Sequence, residues 1–184
     1  MDLDRLSTGE KIAGGSAVLL FIFMFFDWFK AEVSGADSFF TASVGGNAWE
    51  AFSWIDLFLL LTVIVVLAVV VIRLSDALVE PSFSLNTVVT VFGVIAVLLV
   101  LYRIIDPPGG GGEVGGVSVD ISAQIGAFLG LIASAAIGYG GYRAMQEEGT
   151  SFGELGDQLS NRGGPGDPPQ PPSATPPPPP PPSN

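Results

Sequence analysis

Asp27, Asp56 and Arg103 stand at the ends of long apolar runs in this 184-residue chain. A charge left beside hydrocarbon is costly and normally finds a partner. Two carboxylates and a guanidinium at one level could hold a cation, pass a proton, or pair and fasten helix ends together. Asp106 follows Arg103 closely, and Gln124 opens the next apolar run. The expectation is that Arg103 pairs with Asp27 or Asp56 and clamps the outer ends of three helices. The alternative is that each charge reaches separately into lipid headgroups. A functional site built on these carboxylates is a third reading.

Other chemistry is narrowly bounded. The chain contains no Cys and no His. Disulfides and thiolates are therefore absent, as are the commonest metal ligand and the commonest general base. No cofactor, metal cluster or nucleophile–base pair can be assembled from what is left, so an enzyme is not expected. Only hard cations would suit the remaining carboxylate, carbonyl and hydroxyl ligands. The formal net charge is −11, with no basic cluster to neutralise phosphates, so nucleic acid is not expected as a partner. Gly109–Gly112 lacks the Gly-Lys-Ser/Thr ending of a phosphate loop and reads as a flexible connector.

The elements that must position these residues are apolar runs without the alternating faces of a soluble helix. Leu57–Ile72 is broken only by Thr62, and Val88–Leu101 only by Thr90 and Gly93. The expected fold is all-α, a transmembrane bundle of four helices built as two hairpins. The spans are about 12–29, 54–72, 86–105 and 121–142, each near the ~20 residues that cross a bilayer. Residues 30–53 and 109–120 are expected as loops, and 73–85 as a short turn containing Pro81. Ser7 and Glu10 have the spacing of a capping box at the start of the first helix. Acidic Asp2, Asp4 and Glu10 and the lack of a small-residue cleavage site argue against a signal peptide.

Five basic residues, Arg5, Lys11, Arg73, Arg143 and Arg162, fall on one side of this plan, and two, Lys30 and Arg103, on the other. The positive-inside rule then puts both termini in the cytoplasm of a multi-pass cell-membrane protein. Trp28, Trp49, Trp54 and Tyr102 sit near the outer ends, as interfacial aromatics do. No span carries Asp, Glu, Lys or Arg at its middle, which argues against a proton-coupled carrier. Thr62, Thr90 and Ser134 are the polar groups at depth, where hydroxyls often bond back to their own helix.

Gly126, Gly130, Ser134 and Gly138 recur every fourth residue, on one face of the fourth helix. Small side chains there let another helix approach closely. The expected use is packing inside this bundle, with a homodimer interface second and a narrow ligand or ion path third. Residues 1–145 form the membrane domain, and 146–184 a Gly- and Pro-rich tail with too little apolar surface to fold. Its stretches Pro168–Pro172 and Pro176–Pro182 read as polyproline II, either a solvated spacer or a ligand for a cytoplasmic protein.

The opening Leu6–Gly14, continued by Phe21–Phe26 and Asp27-Trp28-Phe29, resembles the first helix of small uncharacterised four-helix integral membrane proteins of actinobacterial type. The resemblance implies a bacterial inner membrane and carries over no activity. The functional expectation is a non-enzymatic scaffold or accessory subunit with an interaction tail. Its partners would be the bilayer, a second copy or another membrane protein, and a cytoplasmic protein at the tail. The alternative is a small channel or transporter-like protein with a polar site at the outer face.

Overall fold

The computed structural model describes residues 5–35, 41–50, 54–75, 84–109, 112–114, 117–149 and 153. The chain divides into two units, Met1–Ser151 and Phe152–Asn184. Every element belongs to the first. The proline stretches of the tail, Pro81 and Gly110–Gly111 lie outside the described residues.

The elements in chain order are α1 (Thr8–Phe23), β1 (Asp27–Gly35), β2 (Thr41–Asn47), α2 (Trp54–Leu74), α3 (Leu85–Ile105), β3 (Gly112–Val114), β4 (Val117–Ala123) and α4 (Ile125–Glu147). The expectation of an all-α chain is corrected: helices dominate, but a four-stranded antiparallel sheet of order β2-β1-β4-β3 is also present. The expected loop 30–53 holds β1 and β2, and the expected connector 109–120 holds β3 and most of β4. The reason lies in the alternation of side chains. Phe29-Lys-Ala-Glu-Val-Ser34 and Val117-Ser-Val-Asp-Ile-Ser122 alternate apolar and polar residues, the period of a strand.

α2, α3 and α4 are long and apolar enough to cross a membrane. α2 and α3 lie close to their expected spans. α4 begins four residues later than expected and runs on to Glu147, because 121–123 belong to β4. α1 has 16 residues, about 24 Å of rise, and stops at Phe23 where a span to residue 29 was expected. Its end is closed by the chain that follows. The Trp28 indole Nε1–H donates to the Phe23 carbonyl at 2.7 Å, Phe26 N–H donates to the same carbonyl, and Ala48 N–H donates to Met24. These bonds occupy carbonyls that a helix end leaves free and turn the chain into β1.

The helices alternate in direction, with α4 packed against both α1 and α3. Backbone meets backbone at these crossings. A Cβ added at Gly140 would lie 2.6 Å from Ala13 N and 2.7 Å from Gly9 O. A Cβ at Gly93 of α3 would lie 2.5 Å from Gly138 N. Removing the side chains is what permits such close approach. One apolar cluster, with Ala17, Leu20, Val66 and Ile137, fills the bundle's middle. A second, with Met24, Trp28, Leu59 and Val100, lies toward the sheet. Leu57, Leu61, Ile64 and Val71 of α2 stay exposed on its outer face. A lipid solvent suits such a stripe, and water does not.

β1 and β4 extend the α1–α4 pair. Gln124 N–H donates to the Trp28 carbonyl at 2.8 Å as β4 passes into α4. The register pairs Phe29 with Ala123, Ala31 with Ile121 and Val33 with Val119, while Ala31 meets Val44 on the other side. These residues share one apolar sheet face. Lys30, Glu32, Ser118, Asp120 and Ser122 take the opposite face.

Candidate functional site

Each member of the expected outer cluster lies at the sheet end of the bundle, yet no ion pair joins them among the described residues. Asp27 opens β1, is exposed, and packs its carboxylate over Gly45 of β2. Asp56 is buried in the first turn of α2, where the helix dipole favours an anion. Arg103 sits in the last turn of α3, half-buried, with its guanidinium carbon 6.0 Å from the centroid of the Phe29 ring. That is the outer limit of a cation–π contact. Its Nε is enclosed without a hydrogen-bond partner among the described residues. Asp106 accepts a 2.8 Å hydrogen bond from the Tyr102 hydroxyl, and Gln124 donates to Ser122 Oγ at 3.1 Å. The expected clamp of Arg103 on Asp27 or Asp56 is therefore absent from the described residues.

A clamp stands instead at the opposite end, around Glu10. The capping box is present: Ser7 N–H donates to Glu10 Oε2 at 2.9 Å, and Glu10 N–H donates to Ser7 Oγ at 3.1 Å. Ordinarily such a Glu faces water. Here it is 5% exposed. Its Oε1 receives the Asn86 side-chain amide of α3 at 3.3 Å and lies 3.1 Å from Arg73 Nε of α2. That Nε is at ion-pair distance without the alignment of a hydrogen bond. The Arg73 Nη2 pairs with Glu148, just past α4, and Glu148 accepts from Ser84 Oγ at 3.1 Å. The neighbouring Glu147 accepts from Gly9 N–H at 3.3 Å and pairs with Arg143 at 3.5 Å. Residues from all four helices thus meet in one charged network. A buried carboxylate is tolerated when its charge is paired and its oxygens are bonded. The sequence reading stopped at the cap, although Arg73, Asn86 and Glu148 close or open their helices at this same end.

The small-residue face of α4 is spent inside the chain. The buried Trp28 ring covers Gly126 and Gly130, where an added Cβ would lie 2.7 and 2.6 Å from ring atoms. Gly138 faces Gly93 of α3. Ser134 is buried, and its hydroxyl donates to Gly130 O at 2.8 Å. The other deep hydroxyls behave alike. Thr62 donates to Phe58 O at 2.9 Å and Thr90 to Asn86 O at 2.8 Å. Each is turned to its own helix, four residues back.

A shallow groove of about 570 Å³ opens on the apolar face of the sheet. Phe29, Ala31, Val44 and Ile121 form its floor, with Pro108 and Glu50 at the rim. Gly109, with φ of +98°, makes the turn that brings the rim to Ile121. Glu50 is held by a reciprocal pair with Asn47: Asn47 N–H donates to its carboxylate at 3.1 Å, and Glu50 N–H donates to Asn47 Oδ1 at 3.0 Å. Among the described residues no group of three or more Asp or Glu is placed to hold a metal ion.

No protein-family model, curated protein or solved structure matches this chain.

Proposed function

We propose that the chain is a non-enzymatic membrane scaffold or accessory subunit, a rigid four-helix bundle that presents a β-sheet at one end and carries a proline-rich tail as an interaction arm. The observation that carries this reading is the joining of all four helices by Glu10, Arg73, Asn86 and Glu148, above glycine crossings with no room for a side chain. Such packing suits a fixed platform rather than a gate that must open. The inward hydroxyls of Thr62, Thr90 and Ser134 are engaged with their own backbones, which gives little for a permeating ion to bind. Both termini in the cytoplasm, with the sheet on the outer side, follow from the basic residues at the network end.

Two measurements test the proposal. Purified chain in proteoliposomes should give ion flux no greater than empty vesicles. Flux above that background, lowered by Asp56→Asn, would favour the channel reading. Crosslinking in native membranes should recover the same partners repeatedly, and truncation after Gly149 should remove the cytoplasmic ones. An unchanged partner set after truncation would end the case for the tail as an interaction arm.

A further inference from the structure

We infer that the groove beside Arg103 binds the headgroup of a zwitterionic phospholipid, with its phosphodiester on Arg103 and its ammonium on Glu50. This goes beyond the scaffold reading, which assigns the chain no ligand, and shares with it only the placing of this end at a lipid surface. The Arg103 guanidinium carbon lies 6.0 Å from the centroid of the Phe29 ring, whose residue lines the groove. No carboxylate among the described residues is at ion-pair distance from Arg103, although Asp27, Asp56 and Asp106 share its end of the bundle. A guanidinium keeps its charge, and an enclosed polar atom is normally hydrogen-bonded. Arg103 Nε is enclosed without a partner among the described residues. So is Nε1 of Trp49, the residue before Glu50 of the rim. Both donors need an acceptor.

Much of the sheet's apolar face is covered from within. Phe29 is 6% exposed, and Ile121 and Ala123 pack against the cluster of Met24, Trp28 and Leu59. What stays open is the groove, and its two sides differ in charge. Gly45 and Gly46 of β2 form one side, with a carboxylate beside each. A Cβ at Gly45 would lie 3.0 Å from Asp27 Oδ2, and one at Gly46 would lie 3.7 Å from Glu50 Oε2. Pro108 and Gly109 form the other side, just beyond the turn of α3 that carries Arg103. Between them Phe29, Ala31, Val44 and Ile121 carry no charge. A cation toward one side and carboxylates at the other match a headgroup that holds both signs. An anionic headgroup would be repelled by Asp27 and Glu50, and a cationic one would leave Arg103 unpaired. Phosphate suits the planar fork of a guanidinium, and an ammonium suits a carboxylate.

The neighbours of Arg103 on α3 point to lipid rather than a soluble phosphodiester. Leu98, Leu101, Tyr102 and Ile105 are all exposed, Ile105 by 75%. α3 is long and apolar enough to cross a membrane. With α3 in the bilayer, these side chains meet acyl chains just below the level of the phosphates. Arginine near a helix end extends its head to that level. Tyr102, an aromatic of the kind found at the interface, donates its hydroxyl to Asp106 at 2.8 Å and so engages the acid nearest in sequence to Arg103. Acyl chains along α3 and a headgroup in the groove are then parts of one molecule. The apolar contact holds in place a headgroup that so shallow a groove would retain weakly by itself.

The test is native mass spectrometry of the full chain in detergent, given one phospholipid at a time. Phosphatidylethanolamine and phosphatidylglycerol with the same acyl chains are the probes. A hydrogen bond to a charged group is worth about tenfold or more in binding. Phosphatidylethanolamine should therefore be retained as a single bound molecule, about tenfold more than phosphatidylglycerol. Arg103→Gln should lower the retention of both lipids about tenfold. Gly46→Leu fills the groove from a position where only the Glu50 carboxylate lies within 4 Å of an added Cβ. It should have the same effect, and it serves if Arg103→Gln fails to fold. Glu50→Gln keeps an acceptor for the Asn47 N–H and should equalise the two lipids, a change of preference that loss of structure would not produce. Glycerophosphoethanolamine, the same headgroup without acyl chains, should not displace the lipid at equal concentration. Undiminished retention in folded Arg103→Gln, phosphatidylglycerol held as well as phosphatidylethanolamine by the native chain, or displacement by the soluble headgroup would overturn the inference.

Discussion

Glu10 carries three duties. It returns a hydrogen bond to the helix cap, it receives the Asn86 amide, and it faces the Arg73 guanidinium. Among the described residues, removing it leaves Arg73 with Glu148 alone and leaves the buried Asn86 amide without its acceptor. Breaking a buried pair from one side costs several kcal/mol, and losing a cap costs about 1. Arg73 is 37% exposed, and water there offsets part of the loss. Glu10→Ala should therefore destabilise the folded chain by about 2–3 kcal/mol, read by denaturant titration in micelles. Glu10→Gln keeps the cap acceptor and should lose less. Equal losses for the two variants would show that the charge contributes nothing beyond the hydrogen bonds. The capping box was legible from Ser7 and Glu10. Burial was not, because spacing alone does not say what covers a helix start. Arg103 shows the converse: its level was legible, but the cation lies over Phe29, with no acid at ion-pair distance among the described residues.

At the level of elements, the close crossings of α4 make glycine substitutions the sharpest probe. Gly140→Ala places a methyl against the backbone of α1 at 2.6 Å, where no flexible side chain can yield. Overpacking of this kind costs ~1–3 kcal/mol, and the melting temperature in detergent should fall accordingly. Gly15 has nothing within 4 Å of its added Cβ. Gly15→Ala should be neutral or stabilising by up to about 1 kcal/mol, the helix propensity difference. Similar shifts for both variants would contradict the packing described. The small-residue stripe of α4 was visible in the sequence, but its partners were not. Gly126 and Gly130 receive Trp28, a strand residue, rather than another helix. The sheet was also written in the chain. Phe29–Ser34 and Val117–Ser122 alternate cleanly, but neighbouring long apolar runs drew 27–29 and 121–123 into helices. β2, with the sequence Thr-Ala-Ser-Val-Gly-Gly-Asn, has weaker alternation and is placed by its pairing with β1.

For the whole molecule, the two ends differ in kind. One is a charged network drawing on every helix, and the other is a sheet with a polar and an apolar face. Three helices of sufficient length and hydropathy lie between them. The shortness of α1 is consistent with this plan, since Met24–Phe26 continue its apolar run as a turn before β1. The scaffold reading proposed above puts these two ends on opposite sides of the lipid. The most direct test uses single cysteines in the cysteine-free chain, at Ser43 in β2 and at Ser75 after α2, both exposed. In intact cells, a membrane-impermeant maleimide should label Ser43→Cys without further treatment, and Ser75→Cys only after permeabilisation. Labelling of both positions from the same side would contradict the account.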